Sequence, residues 1–242
     1  MTQLDLALEA EISTRHLSFI ETGRAQPSRA MLFRLAEQLQ LPLRERNALL
    51  VAGGFAPAFP ERPLADPALR APRAAIELLL EAHEPYPALA IDRHWTLVAA
   101  NGAVTRLLQG VAPSLLEPPV NVLRLSLHPE GLGPRIANRA EWRAHLLMRL
   151  RRQVTTSGDP VLADLLRELT ALAAPHDDGR ENGGADYADV IVPFKLITPA
   201  GVLSFISTTT VFGTPVDITL SERAIESFFP ADAATADRLR VN

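Results

Sequence analysis

Cysteine is absent from the 242 residues. That excludes disulfides, cysteine-ligated zinc or iron–sulfur centres, thiol redox sensing and a flavin–cysteinyl photosensor. Lysine is nearly absent too: Lys195 stands alone, and 23 of the 24 basic residues are arginine. Beside so much alanine, leucine and proline, this reads as a coding-composition bias. No apolar run approaches the length of about 18 residues that a spanning helix needs, and no signal-peptide pattern opens the chain. A cytoplasmic protein with no membrane insertion is expected. The six histidines form no metal-ligand spacing and no triad with a nucleophile. His128 and His145 are the candidates for a haem ligand, and no spacing supports either. No enzymatic activity, no metal and no cofactor are expected.

What is present is globular: 47% of residues are hydrophobic, 21% are charged, and the net charge is −4. The organising stretch is QLDLALEAEISTRHLSFIETG, Gln3 to Gly23. It reads as two short helices around a tight turn. Ala7 is small where the helices cross, and Ile12 plugs the angle between them. Leu17 and Ile20 put one face of the second helix against the first. Ser13 suits an N-cap and Gly23 a C′ stop. The outward face carries Thr14, Arg15, His16 and Ser18, which suits reading base edges in a major groove. Spacing alone leaves an ordinary helical hairpin equally open.

The flank ETGRAQPSRAMLFRLAEQLQLPLRERNALLVAGG resembles the lambda-repressor-like, xenobiotic-response-element type of DNA-binding domain. That resemblance implies an all-α helix-turn-helix domain on double-stranded DNA. Gln3 would touch a phosphate, Thr14, Arg15, His16 and Ser18 would face bases, and Arg24 and Arg29 would lie near the backbone. The family fold has one more helix before Gln3, so the first helix is expected to be missing, leaving Leu8 and Leu17 short of cover. Glu11 holds a turn position that is usually glycine, because the backbone there is left-handed. Residues 1–60 carry six arginines and six acids. Phosphate attraction dominates non-specific affinity, so weak binding as a monomer and action as a homodimer are expected.

Three segments are expected: 1–56 for the DNA-binding domain, 57–84 for a linker and connector helix, and 85–242 for a second domain. The linker follows from Pro57, Pro60, Pro63, Pro67 and Pro72. The connector helix, from Arg73 to His83, is alternatively a dimer contact. In the second domain, Ala88–Asp92 and Trp95–Asn101 read as a hairpin. Helices are expected around Val104–Leu108, over Asn121–His128, over Asn138–Thr155 and from Asp159-Pro160 to Leu172. Residues 174–187 read as an acidic loop. Two strands follow, with Val190, Val192, Phe194 and Leu196 on one face of the first. Leu203, Phe205, Ser207, Thr209 and Val211 share a face of the second. Thr214–Ile218 is a candidate fifth strand and Leu220–Phe229 a helix.

The economical packing is an α+β, PAS-like domain with one antiparallel sheet. NVLRLSLHPEGLGPRIANRAEWRAHLLMRLRRQ and LSFISTTTVFGTPVDITLSERAIESFFPADAATA are similar to the ligand-binding domain of MmyB-like transcription regulators. That resemblance implies a regulator sensing a small apolar ligand, with fatty acid as one candidate. Leu125, Trp142, Leu146, Phe194, Phe205 and Val211 are candidate lining residues. Arg124 and Arg143 are candidates for a carboxylate head group, because a guanidinium fork matches two oxygens. Arg124 alternatively pairs with Asp92 or Glu141. The alternative function is a lipid- or protein-binding module whose DNA-binding domain is too incomplete for operator recognition.

Overall fold

The structure, a computed structural model, describes residues 2–172, 192–213 and 215–240. The chain forms two compact units, one of residues 1–72 with 212–222 and the other of 73–211 with 223–242.

The first unit holds α1 (Gln3–Glu9), α2 (Thr14–Glu21), α3 (Arg29–Gln38) and α4 (Leu43–Ala52). Thr2, Ser13 and Ser28 cap the first three, each accepting a backbone N–H two or three residues into its helix. Ala7, Ala10, Leu17 and Leu35 form the core, with Leu6, Ile12 and Met31 packed against it. Ile12 therefore fills the angle as its spacing implies. Leu17 is buried, which corrects the expectation that its back lacks cover, while Leu4 and Leu8 are exposed.

All four helices end in the same two-bond cap. After α1, the Glu11 N–H donates to the Leu8 carbonyl at 3.1 Å and the Ile12 N–H to that of Ala7 at 2.9 Å. The motif needs a left-handed C′ residue. Gly23 and Gly54 supply it for α2 and α4, but Glu11 (φ 55°) and Gln40 (φ 50°) supply it for α1 and α3. Glu11→Gly is therefore expected to stabilise this unit by about 0.5–1 kcal/mol, since relief of the left-handed strain outweighs glycine's extra chain entropy. A thermal melt checks it. A lower midpoint would mean that the exposed Arg34–Glu11 contact at 3.8 Å matters more than the strain.

The proline-rich stretch is not a free spacer up to residue 72. The Asn47 side chain on α4 accepts from the Ala58 and Phe59 N–H groups and donates to the Phe59 carbonyl at 2.7 Å. Phe59 meets Phe33 edge to face. Residues 212–222 complete the unit. The Ile218 N–H donates to the Pro60 carbonyl at 2.9 Å, and Arg62 pairs with the buried Asp217 at 3.0 Å. Arg44 on α4 pairs with Glu222 at 2.7 Å and also with Glu61, and those two carboxylates hold its guanidinium above the usual range. Ile218–Ser221 is a single helical turn, so the fifth strand expected at Thr214–Ile218 is not there. Thr214 itself lies outside the described residues.

The second unit takes in most of α5 (Arg70–Ala82), which buries Ile76 and Leu80. It continues through β1 (Ala88–Ile91), β2 (Leu97–Ala100), α6 (Gly102–Leu107), α7 (Val122–Leu127), α8 (Arg139–Ser157) and α9 (Pro160–Ala171). Then come β3 (Phe194–Thr198), β4 (Gly201–Val211), β5 (Ala224–Pro230) and a C-terminal helix, Ala233–Arg240. The sheet order is β2-β1-β5-β4-β3, and every pairing is antiparallel. This is a PAS-like α+β domain. The expected helix at Leu220–Phe229 is instead the central strand β5. Leu220, Ala224 and Phe228 mimic a helical stripe, but the backbone of 224–230 bonds to strands on both sides. Residues 174–187 and Val190 lie outside the described residues.

Loop 128–133 fixes how α7 joins α8. A Cβ on Gly131 would stand 2.2 Å from the Leu125 carbonyl oxygen, so only glycine fits that close approach.

Candidate functional site

Two sites emerge, one in each unit. In the first, the Ser13 hydroxyl accepts the His16 N–H at 3.1 Å and fixes the start of α2. Thr14 and Arg15 are exposed, and His16 and Ser18 half-buried. The Arg15 guanidinium lies over the Phe19 ring at 5.3 Å, which holds it near the helix without neutralising it. Gln3 donates to Glu21 at 2.6 Å, tying the start of α1 to the end of α2. Arg24 is exposed in the turn after α2, and Arg29 opens α3 with its guanidinium 5.7 Å from the Phe33 ring. All seven expected DNA-facing residues thus lie on α1, α2, the following turn and the start of α3.

The second site is a partly open cavity of about 100 Å3 between the sheet and α6, α7 and α8. Leu125, Trp142, Leu146, Phe194 and Phe205, five of the expected lining residues, are on its wall. Phe205 is fully buried in β4, stacks 6.2 Å from Phe194 and meets Phe228 edge to face. The Trp142 indole donates to the Ser126 hydroxyl at 3.0 Å, which fixes its ring against Phe194. His145 stacks on Trp142. Burial and the Arg149 charge depress its pKa, against the weaker pull of Glu226 and Glu141.

Three expected contacts are elsewhere. Val211 is exposed at the end of β4 and does not line the cavity. Arg143 donates to the carbonyls of Thr170 and Leu172, closing the C-terminus of α9. Arg124 forms a two-point ion pair with Glu168 at 2.6 and 2.7 Å, beside a separate surface crevice. That pairing raises the Arg124 pKa and lowers that of Glu168. Arg124 follows two apolar residues, but its helix is one amphipathic piece and its charge is answered by α9. The partner is neither Asp92 nor Glu141.

The charged groups on the cavity wall are Arg149 and Glu226. The Arg149 guanidinium lies over the Trp95 ring at 4.8 Å and donates to Glu226 at 2.8 Å. Glu226 is 5% exposed and also accepts from the Thr209 hydroxyl at 2.8 Å. Arg149 was not among the expected contacts, although its signal was present: Trp142, Leu146 and Arg149 share a helical face. Glu226 was hidden by the helical reading of its segment. In a strand it shares a face with Phe228, which also lines the cavity.

Residues 1–46 match the helix-turn-helix family, and residues 72–241 match the family described as MmyB-like transcription regulator ligand binding domain. No curated protein matches the chain. The solved structure of an RNA-binding light-oxygen-voltage receptor aligns with 99% of this chain and 55% of its own, at 16% identity and a TM-score of 0.30. The chain thus spans about half the length of that protein, and the score is too low for any feature to be carried over. No helix of the described residues is long and apolar enough to cross a membrane. By the match over 72–241, the chain belongs to the MmyB-like transcription regulator ligand-binding-domain family, and the region before it matches the helix-turn-helix family.

Proposed function

We propose that this regulator binds an operator as a homodimer through α2 and responds to a compact, uncharged apolar molecule in the cavity of its second unit. The observation that carries the ligand class is the cavity wall: apolar except for Ser126, whose hydroxyl already accepts from Trp142, and one ion pair whose two charges already answer each other. Its volume of about 100 Å3 is below the range of roughly 300–1,000 Å3 usual for ligand pockets and nearer to an engineered cavity that takes benzene. A fatty acid fits this wall poorly, because its carboxylate would have to displace Glu226 from Arg149 and leave a buried carboxylate unpaired. The net-zero charge of residues 1–60 favours two subunits on one operator, since each adds phosphate contacts.

The test is a calorimetric comparison of hexanol and hexanoate on the full chain, beside native mass spectrometry of the purified protein. Hexanol is expected to bind at least about tenfold tighter, and Leu146→Phe, which fills the cavity, is expected to abolish it. Preference for hexanoate would restore the fatty-acid reading.

For DNA, Arg15→Ala is expected to cost about 1–3 kcal/mol on the operator and to relax specificity at one base pair. Arg24→Ala is expected to weaken all sequences alike and to reduce the salt slope by about one. Gel shifts on the gene's own upstream region and on random DNA separate the two. Equal losses by both variants on both DNAs would overturn the assignment.

A further inference from the structure

The buried Glu226 carboxylate on the cavity wall is bonded on one side only. Arg149 donates to its Oε1 at 2.8 Å, and the Thr209 hydroxyl donates to the same oxygen at 2.8 Å. Arg149 also donates to the Thr209 hydroxyl oxygen at 3.3 Å, which closes a triangle around Oε1. Oε2 accepts from no donor among the described residues. Nor is it sealed among packed atoms. The described side-chain atoms that are both sealed and unpartnered are Glu45 Oε2 and Arg223 Nε. A carboxylate offers about four acceptor sites, and buried acceptors are nearly always met. One oxygen of a buried carboxylate is thus left open on a wall made mainly of apolar side chains. A few such polar groups are what orient a ligand in an apolar pocket.

What Oε2 lacks is a donor. A ketone, ether or ester has none to give, and a second carboxylate is repelled. An ammonium would bring another cation to a carboxylate that Arg149 already answers. A neutral hydroxyl supplies one proton and leaves the Arg149 pair intact. Its bond would be charge-assisted, and so stronger than one between neutral groups. We propose, on the reading of this cavity as the ligand site, that the sensed molecule is a compact alcohol or phenol whose hydroxyl donates to Glu226 Oε2.

Calorimetric titration of the full chain with 1-hexanol and with methyl pentyl ether tests it. The two are isomers, and the ether accepts hydrogen bonds but donates none. 1-Hexanol is expected to bind at least about tenfold tighter. In Glu226→Gln the amide carbonyl can replace Oε1 against Arg149 and Thr209, which leaves the amide nitrogen, a donor, in the place of Oε2. The preference is then expected to fall within about threefold or to reverse. Ser126 carries the other hydroxyl on the wall and is the rival acceptor. Ser126→Ala is expected to keep the preference, and it decides the matter if a melt shows Glu226→Gln to be unfolded. Equal binding of the two isomers by the wild type would overturn the hydroxyl assignment and leave the apolar cavity reading in place. Binding of neither would overturn both. Loss of the preference in Ser126→Ala, or its survival in a folded Glu226→Gln, would overturn the role of Glu226.

Discussion

Phe205→Ala is expected to destabilise the sensing unit by about 3–5 kcal/mol, because it removes a fully buried ring and leaves a cavity that neighbours close only in part. Phe205 sits where β4 pairs with β3 and β5, and its ring contacts Phe194 and Phe228. At about 3 °C per kcal/mol for a unit of this size, the midpoint should fall by roughly 10 °C. The same change joins the lost ring's volume to the existing space, so benzene should recover part of the loss by binding only the folded form. A fall under about 1 kcal/mol, with no benzene effect, would mean that the core repacks and that the cavity wall is soft.

Arg149→Met is the second large effect. It leaves the Glu226 carboxylate buried, still accepting from the Thr209 hydroxyl at 2.8 Å but with its cation gone. Removing one member of a buried pair typically costs about 3–5 kcal/mol, because the other charge stays uncompensated. Loss of the guanidinium over Trp95 adds to it. If the uncompensated charge is the cause, the double variant Arg149→Met with Glu226→Gln should recover most of the stability in urea unfolding. If the double variant is no better than the single one, stacking and packing of Arg149 carry the effect instead.

The helix-turn-helix was legible in the sequence because its determinants are local. Ser13 as cap, Ala7 at the crossing, Ile12 in the angle and Gly23 as stop all act within a few residues. Even the left-handed Glu11 could be anticipated, from the turn that its position occupies. Gln40 could not, since nothing in its own neighbourhood marks it as a cap. In the second unit, α8 and the β1–β2 hairpin followed from periodicity. Strand β5 did not. Its apolar residues fall on both faces, Ile225 and Phe229 on one and Ala224 and Phe228 on the other, so the period-two alternation that identifies a strand is lost and AIESFF fits a helix as well. That one error concealed Glu226, and with it the partner of Arg149. Arg124 failed for a different reason. Its apolar neighbours in sequence point to a different side of α7, and its partner Glu168 is 44 residues away on α9.

Residues 212–222 carry a consequence for how such a protein can be cut and recombined. They come from between two strands of the second unit's sheet, yet they count with the helices of the helix-turn-helix unit. A fragment ending at Pro72 therefore lacks Asp217, Ile218 and Glu222, and strands Arg44 and Arg62 without those partners. The helix-turn-helix unit is not a detachable head. A chimera made at a single junction would graft one regulator's operator-binding helices onto another's completing segment, and the two would have to agree at Arg44, Arg62 and Pro60. Exchange of specificity in this architecture requires transplanting two separate pieces of sequence at once.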